Sequence, residues 1–257
     1  MTTFTDLHHG RLPLLLPNAW DLPSALAFLA EGYPAIGSTS FGVSSSLGRP
    51  DGSRAAREAN LLLADRLRPL PVFISVDVED GYSDDPDEVA AYVAEVDADG
   101  VNLEDSTDGR LVEPVAFAAK VAAVKARTPD VFVNARVDTY WFHQDDSVEA
   151  TVARAAAYVE AGADGVFVPG LSDSETLRAV TSALEVPVNV LAIPGRTLAE
   201  LGDLGVRRVS TGSLPYRAAL EAAVRAAAAV RDGIEPPPAG TYSDLQARLV
   251  AFDSGSA

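Results

Sequence analysis

The chain contains no cysteine. Disulfides, thiolate nucleophiles and cysteine-ligated zinc or iron–sulfur centres are therefore excluded. Histidine is almost as scarce, with three residues, His8, His9 and His143. None falls at a predicted strand end, so neither a histidine triad nor a histidine-rich metal site is expected. Positive charge is short as well: 20 Lys and Arg face 37 Asp and Glu, a formal charge of −17. Such a surface repels phosphate backbones and anionic lipid, which argues against nucleic-acid and membrane partners. No apolar run reaches the roughly 18 residues of a membrane span. The opening MTTFTDLHHGR lacks a basic-then-apolar leader pattern, and with the missing cysteine this predicts a cytoplasmic protein.

What is present is 257 residues, 47% hydrophobic, enough for one sizeable core. Short apolar runs alternate with amphipathic stretches throughout. Strands are expected near 13–16, 35–38, 72–76, 100–103, 131–135, 165–168, 188–191 and 208–210. Helices are expected over 24–31, 54–68, 87–96, 114–127, 147–161, 174–184, 197–204 and 216–231. Near-continuous apolar runs such as VFISV and GVFV suit a parallel sheet covered on both faces. Eight β/α units predict a (β/α)8 barrel of the TIM type. A doubly wound open sheet is the other arrangement, disfavoured because no G-x-G-x-x-G follows the first strand. Residues 1–232 form the predicted barrel domain. The EPPPAG segment then makes a stiff linker into a 233–257 tail. There Ser243 is positioned to cap a short helix with Leu245, Leu249 and Phe252 on one side, an expected oligomer contact.

A barrel of this kind places its chemistry at the C-terminal ends of the strands. The richest such end is VFISVDVEDGYSDD. Asp77 and Glu79 are two residues apart and point the same way if the backbone stays extended. Like charges facing each other are costly without a cation between them. Glu104, ending the next strand, adds a third carboxylate. This set suits a hard ion, Mg2+ or Mn2+, completed by water and substrate. Arg136, after the fifth strand, has two readings: a bidentate clamp on a substrate carboxylate, or a structural partner of Asp138 or Glu79. Residues 40–54, with three glycines and five serines, read as a long loop that can act as a lid carrying Arg49 and Asp51. Ser38, Thr39 and Ser40 offer either backbone N–H groups for an oxyanion or plain turn chemistry. Trp20 and Asp21 after the first strand, and Asn189 within the seventh, complete the candidates.

The segments LPNAWDLPSA (16–25), AIGSTS…SLGRPDG (35–52), VDVEDGY (76–82), VNLEDS (101–106), VNARVD (133–138), GADGVFVPG (162–170) and GVRRVSTGS (205–213) occur in a specific order. In these segments the chain resembles the isocitrate lyase / phosphoenolpyruvate mutase superfamily, especially its short methylisocitrate lyase-like and phosphonomutase-like members. The resemblance implies a barrel whose last helix is exchanged between subunits of a homodimer or homotetramer. It implies Mg2+ held by Asp77, Glu79 and Glu104, and an oxo acid or its enolate at the Ser38–Ser40 turn. Arg136 would then contact substrate, Asp51 would belong to the gating loop, and Trp20 and Asp21 would shape the pocket. Two departures stand out. The loop after the fourth strand, EDSTDGRLVEP, has neither the Cys nor the Lys of the lyases, and no His follows the sixth strand. The expected activity is a Mg2+-dependent carbon–carbon lyase acting on a small 2-oxo or 2-hydroxy di- or tricarboxylic acid through a pyruvate-type enolate. The missing Cys favours decarboxylation. The alternatives are a phosphonomutase or phosphonopyruvate hydrolase, and a non-catalytic oxo-acid binder.

Overall fold

A computed structural model describes residues 2–255. Nine strands form one sheet, all neighbours parallel: β1 (Leu14–Leu16), β2 (Asn18–Ala19), β3 (Ala35–Ser38), β4 (Phe73–Asp77), β5 (Gly100–Glu104), β8 (Phe132–Arg136), β9 (Gly165–Phe167), β10 (Val188–Leu191) and β11 (Val206–Ser210). The intervening β6 (Ser106–Thr107) and β7 (Arg110–Leu111) make a separate antiparallel hairpin. Only Pro17 separates β1 from β2. Leu14 pairs with Arg208 on one side, and Asn18 pairs with Gly37 on the other. The two ends of the sheet thus belong to one interrupted stave. The sheet curls into a TIM-type barrel of eight staves, as the strand pattern predicts.

Pro17 has no N–H to give to a ladder, and the first stave breaks there. The Asn18 side chain clasps the seam. Its Nδ2 donates to the Ser38 carbonyl at 2.6 Å, and its Oδ1 accepts from Gly212 N at 2.9 Å and from Thr211 Oγ1 at 3.1 Å.

The helices are α1 (Leu22–Ala30), α2 (Ser40–Ser46), α3 (Arg57–Leu67), α4 (Pro86–Val96), α5 (Pro114–Arg127), α6 (Thr139–Phe142), α7 (Val148–Glu160), α8 (Ser174–Ala183), α9 (Leu198–Asp203), α10 (Leu214–Asp232) and α11 (Tyr242–Asp253). Several start on side chains that satisfy the free N–H groups of the first turn. Asp21, Asp85, Ser147, Asp173 and Thr197 cap α1, α4, α7, α8 and α9. The covering helices bury Val89, Val93, Phe117, Val121, Tyr158, Leu177 and Val180 against the outward residues of the staves.

The barrel floor is closed by a 3-10 turn, Thr5–His9. Phe4 packs there with Leu14, Leu16, Ala35 and Phe132. Above that plug the interior is polar. Ser75, Asn102, Asn134, Asn189, Arg208 and Ser210 are all buried, and Asn134 Nδ2 donates to Asn102 Oδ1 at 2.9 Å.

Two sequence expectations change. The 40–54 stretch is not one loop, because α2 occupies its first half. The tail helix is capped by Thr241, not Ser243: the Thr241 hydroxyl accepts from Asp244 N at 3.1 Å. α11 contacts α1 of its own chain, and Phe252 packs on the barrel core while Leu245 and Leu249 stay exposed. α10 is exposed along most of its length, including Leu214, Leu220, Val224 and Val230. No helix among the described residues is long and apolar enough to cross a membrane.

Candidate active site

Two adjoining cavities open at the C-terminal rim of the barrel. The smaller, about 100 Å³, is lined by Ser38, Thr39, Ser40, Asp51, Asp77, Asn102, Arg136 and Ser210, with an apolar side of Phe41, Trp141, Phe167, Pro169 and Leu191. The larger, about 420 Å³, is lined by Asp51, Glu79, Asp80, Glu104, Thr107, Arg136 and Trp141. Asp51, Arg136 and Trp141 face both. Among the described residues Arg136 is the sole Lys, Arg or His lining either cavity.

Asp77, the last residue of β4, is buried and fixed from the next stave. Ser40 N and Ser40 Oγ donate to its Oδ2 at 3.1 and 2.9 Å, and its own N–H donates to Ser38 Oγ at 2.8 Å. This revises the roles of the Ser38–Ser40 turn. Ser40 N–H goes to Asp77, and Thr39 N–H goes to the Ala19 carbonyl at 3.1 Å, so neither is free for an oxyanion. The turn instead orients a carboxylate, while the Thr39 hydroxyl caps α2.

Glu79 departs from the extended backbone assumed for it. Its φ is +49°, and the chain turns at once, with Gly81 N donating to the Val78 carbonyl at 2.9 Å. Asp77 and Glu79 therefore face different cavities. Glu79 Oε2 accepts from Arg54 N at 3.1 Å. Its carboxyl is pushed up to about 7 by burial, with the charges of Asp51, Asp77 and Asp80 adding to the rise and the Arg54 N–H opposing it. Burial also raises Glu104 well above the usual carboxylate range, against the pull of Arg136. Asp51 sits exposed on the rim loop with its carboxyl toward the mouth. Desolvation there and the nearby Asp77 charge raise it.

Arg136 takes up the structural pairing with Asp138, with Glu104 standing where Glu79 was the expected second partner. It is largely buried, its side chain 12% exposed, donates from Nε to Asp138 Oδ1 at 2.6 Å and pairs through Nη1 with Glu104. It also lies at the wall of both cavities, 5.7 and 5.8 Å from the ring centroids of Trp141 and Phe167. The rim loop is tied down by Arg54, whose Nε donates to Asp80 Oδ2 at 2.9 Å and whose Nη2 pairs with Asp80 and Asp84.

Four candidates lie elsewhere. Asp21 caps α1, accepting from Ser24 N at 2.8 Å, and does not line the cavities. Trp20 packs edge-on against Tyr216 at 5.4 Å, behind the wall. Asn189 is buried inside the barrel and donates to Ser210 Oγ at 3.0 Å. Arg49 is exposed and away from both cavities. Of the histidines, His8 is buried in the floor, whereas His9 and His143 are exposed, none of them at the mouth.

The fit to a divalent ion can be tested on the donors present. Asp77 Oδ1 and Glu79 Oε1 are buried with no hydrogen-bond partner. An anionic oxygen left unpaired away from water is costly, and a cation removes that cost. Among the described residues no three His, Cys, Asp or Glu side chains stand close enough to hold a metal by themselves. The set is thus not a closed protein cage. It fits Mg2+, which commonly keeps several waters and takes one or two carboxylates plus substrate oxygens.

Arg208 went unnoticed in the sequence. It sits inside the ring on β11, 1% exposed, with Nη2 donating to Asn102 Oδ1 at 3.1 Å and Ser75 Oγ at 3.3 Å. Burial pushes its guanidinium down to about 9, countered by the Asp77 charge. The signal available was its two-residue offset from Ser210, which puts both on one face of a strand.

A closed parallel barrel with carboxylates and an arginine gathered at its C-terminal rim defines a TIM-type barrel protein whose chemistry sits where that fold places it. Within that class, the chain belongs to the phosphoenolpyruvate phosphomutase family, which it matches over residues 4–231. It is 57% identical over 252 residues to an uncharacterized protein of Mycobacterium tuberculosis, covering 98% of both chains. It is 27% identical to the 2-methylisocitrate lyase of Bacillus subtilis, covering 82% of this chain and 75% of that one. It is 35% identical to oxaloacetate decarboxylase 2 of Pseudomonas fluorescens, covering 45% and 40%. Among solved structures, a candidate lyase/mutase of Burkholderia cenocepacia superposes with a TM-score of 0.87 at 33% identity, covering 99% and 97%. A phosphonopyruvate hydrolase in complex with oxalate and Mg2+ superposes with a TM-score of 0.81 at 24% identity, covering 98% and 99%, a likeness of fold. The superfamily is one of lyases and mutases.

Proposed function

We propose that this chain is a Mg2+-dependent carbon–carbon lyase for a small 2-oxo or 2-hydroxy carboxylic acid, working through a pyruvate-type enolate, with oxaloacetate-like decarboxylation the favoured reaction. The observation that carries this reading is the single cation, Arg136, shared by two cavities beside the unpaired oxygens Asp77 Oδ1 and Glu79 Oε1. Asp77 and Glu79, whose unpaired oxygens lie at the adjoining cavities, are the carboxylates that would hold the ion, with water and substrate oxygens completing its shell and Glu104 a further carboxylate of the larger cavity. When bound, Mg2+ supplies Lewis-acid polarisation of the substrate oxygens.

The remaining work falls to the chain. Arg136, presented by Asp138 and Glu104, engages a substrate carboxylate and orients the bond to be broken. Ser38 and Ser40 hold Asp77 in place. Phe41, Phe167, Pro169 and Leu191 exclude water from one side of the smaller cavity. With neither cysteine nor histidine at the mouth, the carbon left after cleavage takes its proton from water. A substrate with a third carboxylate would need a second cationic side chain, which the lining residues do not include. This weighs against tricarboxylate cleavage. The family resemblance also leads us to propose a homo-oligomer that exchanges α10, supported by the apolar residues this helix leaves exposed.

The test is to incubate the Mg2+-loaded protein with oxaloacetate and with 2-hydroxy diacids while following pyruvate or another 2-oxo acid enzymatically. Phosphonopyruvate is followed in parallel by phosphorus NMR. Release of an oxo acid supports the proposal. No turnover of any carboxylate, together with gain or loss of a P–C signal, replaces it with phosphonate chemistry. Oxo-acid binding by calorimetry with no turnover of either class replaces it with a non-catalytic binder.

A further inference from the structure

The barrel interior holds a cation that the rim chemistry does not use. Arg208 is enclosed by the staves, whereas Arg207, beside it on β11, faces outward and is exposed. Its two acceptors are neutral, Ser75 Oγ and Asn102 Oδ1, and its Nε and Nη1 have no partner. Among the described residues no carboxylate forms an ion pair with it, although carboxylates are abundant at the rim. Leaving a guanidinium buried and unpaired is destabilising, and a carboxylate in place of Ser75 or a methionine in place of the arginine would relieve the cost. A charge kept there in a poorly screened interior acts at a distance on whatever anion lies nearby. Asn102 marks the direction: it accepts from Arg208, and it lines the floor of the smaller cavity.

We infer that Arg208 is a built-in counter-charge beneath the site, a positioning residue that fixes Asn102 and projects positive potential through the cavity floor onto the anion bound there. The inference rests on the oxo-acid reading above and adds a second cationic influence that no cavity wall displays. Arg136 meets the substrate directly from the rim. Arg208 acts from below without touching it, favouring the substrate's carboxylate and the negative charge that grows during cleavage. The residue that fills the barrel's centre is thereby tuned for ligand charge at the expense of stability.

The test is calorimetric titration of oxalate, an enolate mimic, at saturating Mg2+, with thermal melts of the same proteins. Arg208→Met is expected to weaken oxalate at least tenfold while its melting temperature stays the same or rises. Arg208→Lys, which keeps the charge, is expected to bind within threefold of wild type. Ser75→Asp neutralises the guanidinium in place without altering a cavity-lining residue, and is expected to weaken oxalate at least tenfold in a folded protein. Wild-type affinity in Arg208→Met overturns the inference. So does Arg208→Lys binding as poorly as Arg208→Met, since shape and not charge would then matter. If Arg208→Met does not fold, Ser75→Asp decides, and wild-type affinity there overturns the inference. Failure of the wild type to bind oxalate overturns the oxo-acid reading and this inference together, whereas normal wild-type binding with indifferent variants overturns the inference alone.

Discussion

His8 makes the stability of this barrel sensitive to mild acid. The imidazole is buried in the floor plug, stacked on Phe132 at 4.3 Å and edge-on to Phe4 at 5.0 Å. Nδ1 bonds the Phe4 carbonyl at 3.0 Å, and Nε2 has no partner. Burial, reinforced by the Arg208 charge above, pushes its pKa from 6.5 down to about 3. The sign follows from proton counting. Below pH 6.5 the unfolded chain protonates His8 and the folded chain does not, so stability falls as pH falls, until the folded group protonates near pH 3. At about 1.4 kcal/mol per pH unit, the loss between pH 7 and pH 5 is about 2 kcal/mol. Glu79 and Glu104 work in the opposite direction, because their raised values let the folded state bind the extra protons. The comparison that isolates His8 is therefore wild type against His8→Phe, each unfolded with urea at pH 7 and pH 5. Wild type is expected to lose about 2 kcal/mol more than the variant over that interval. Equal losses in the two proteins would refute the reasoning and show that the imidazole is solvated or charged in the folded state.

Arg136→Lys removes the planar two-pronged donor and leaves Asp138 and Glu104 poorly matched; kcat/KM is expected to fall by a factor of about 100 to 1,000, with the melting temperature lowered as well. Steady-state kinetics on the substrate found above measures it. Arg54→Ala releases the rim loop from Asp80 and Asp84, and is expected to raise KM several-fold and to make residues 47–56 the first point of limited proteolysis, read by mass spectrometry. Mg2+ titration of metal-free protein is expected to raise the melting temperature, because an ion that binds only the folded chain stabilises by about 2.7 kcal/mol at a hundredfold excess over Kd. Asp77→Asn is expected to abolish that rise.

The staves are legible because short, near-continuous apolar runs such as VFISV suit strands covered on both faces, and they recur between amphipathic stretches along the chain. What the chain hides is conformation that only packing decides. α2 is spelled SFGVSSS, poor helix-forming material, yet it winds because Thr39 caps it and Gly42 fits where a Cβ would stand 2.8 Å from the Trp20 Cβ. Glu79 was misdirected by assuming that the strand continued. The turn-forming Asp80-Gly81 that follows was the readable warning. The reverse case is Asp21, where D-x-x-S before an apolar run already has the form of a helix cap, a simpler role than pocket lining. Arg207 and Arg208 are indistinguishable as letters. Only the closed ring decides which of them is inside.

The clasp formed by Asn18 joins parts of the chain nearly two hundred positions apart. During synthesis the early staves can associate in order, but the ring has no partner for its first segment until β11 and the Thr211–Gly212 bend have left the ribosome. Until then two raw sheet borders stay open to neighbouring molecules. A stalled or clipped chain lacking its final stave is therefore a sticky ribbon with one edge too many, and the side chain of a single asparagine marks the moment at which that hazard ends.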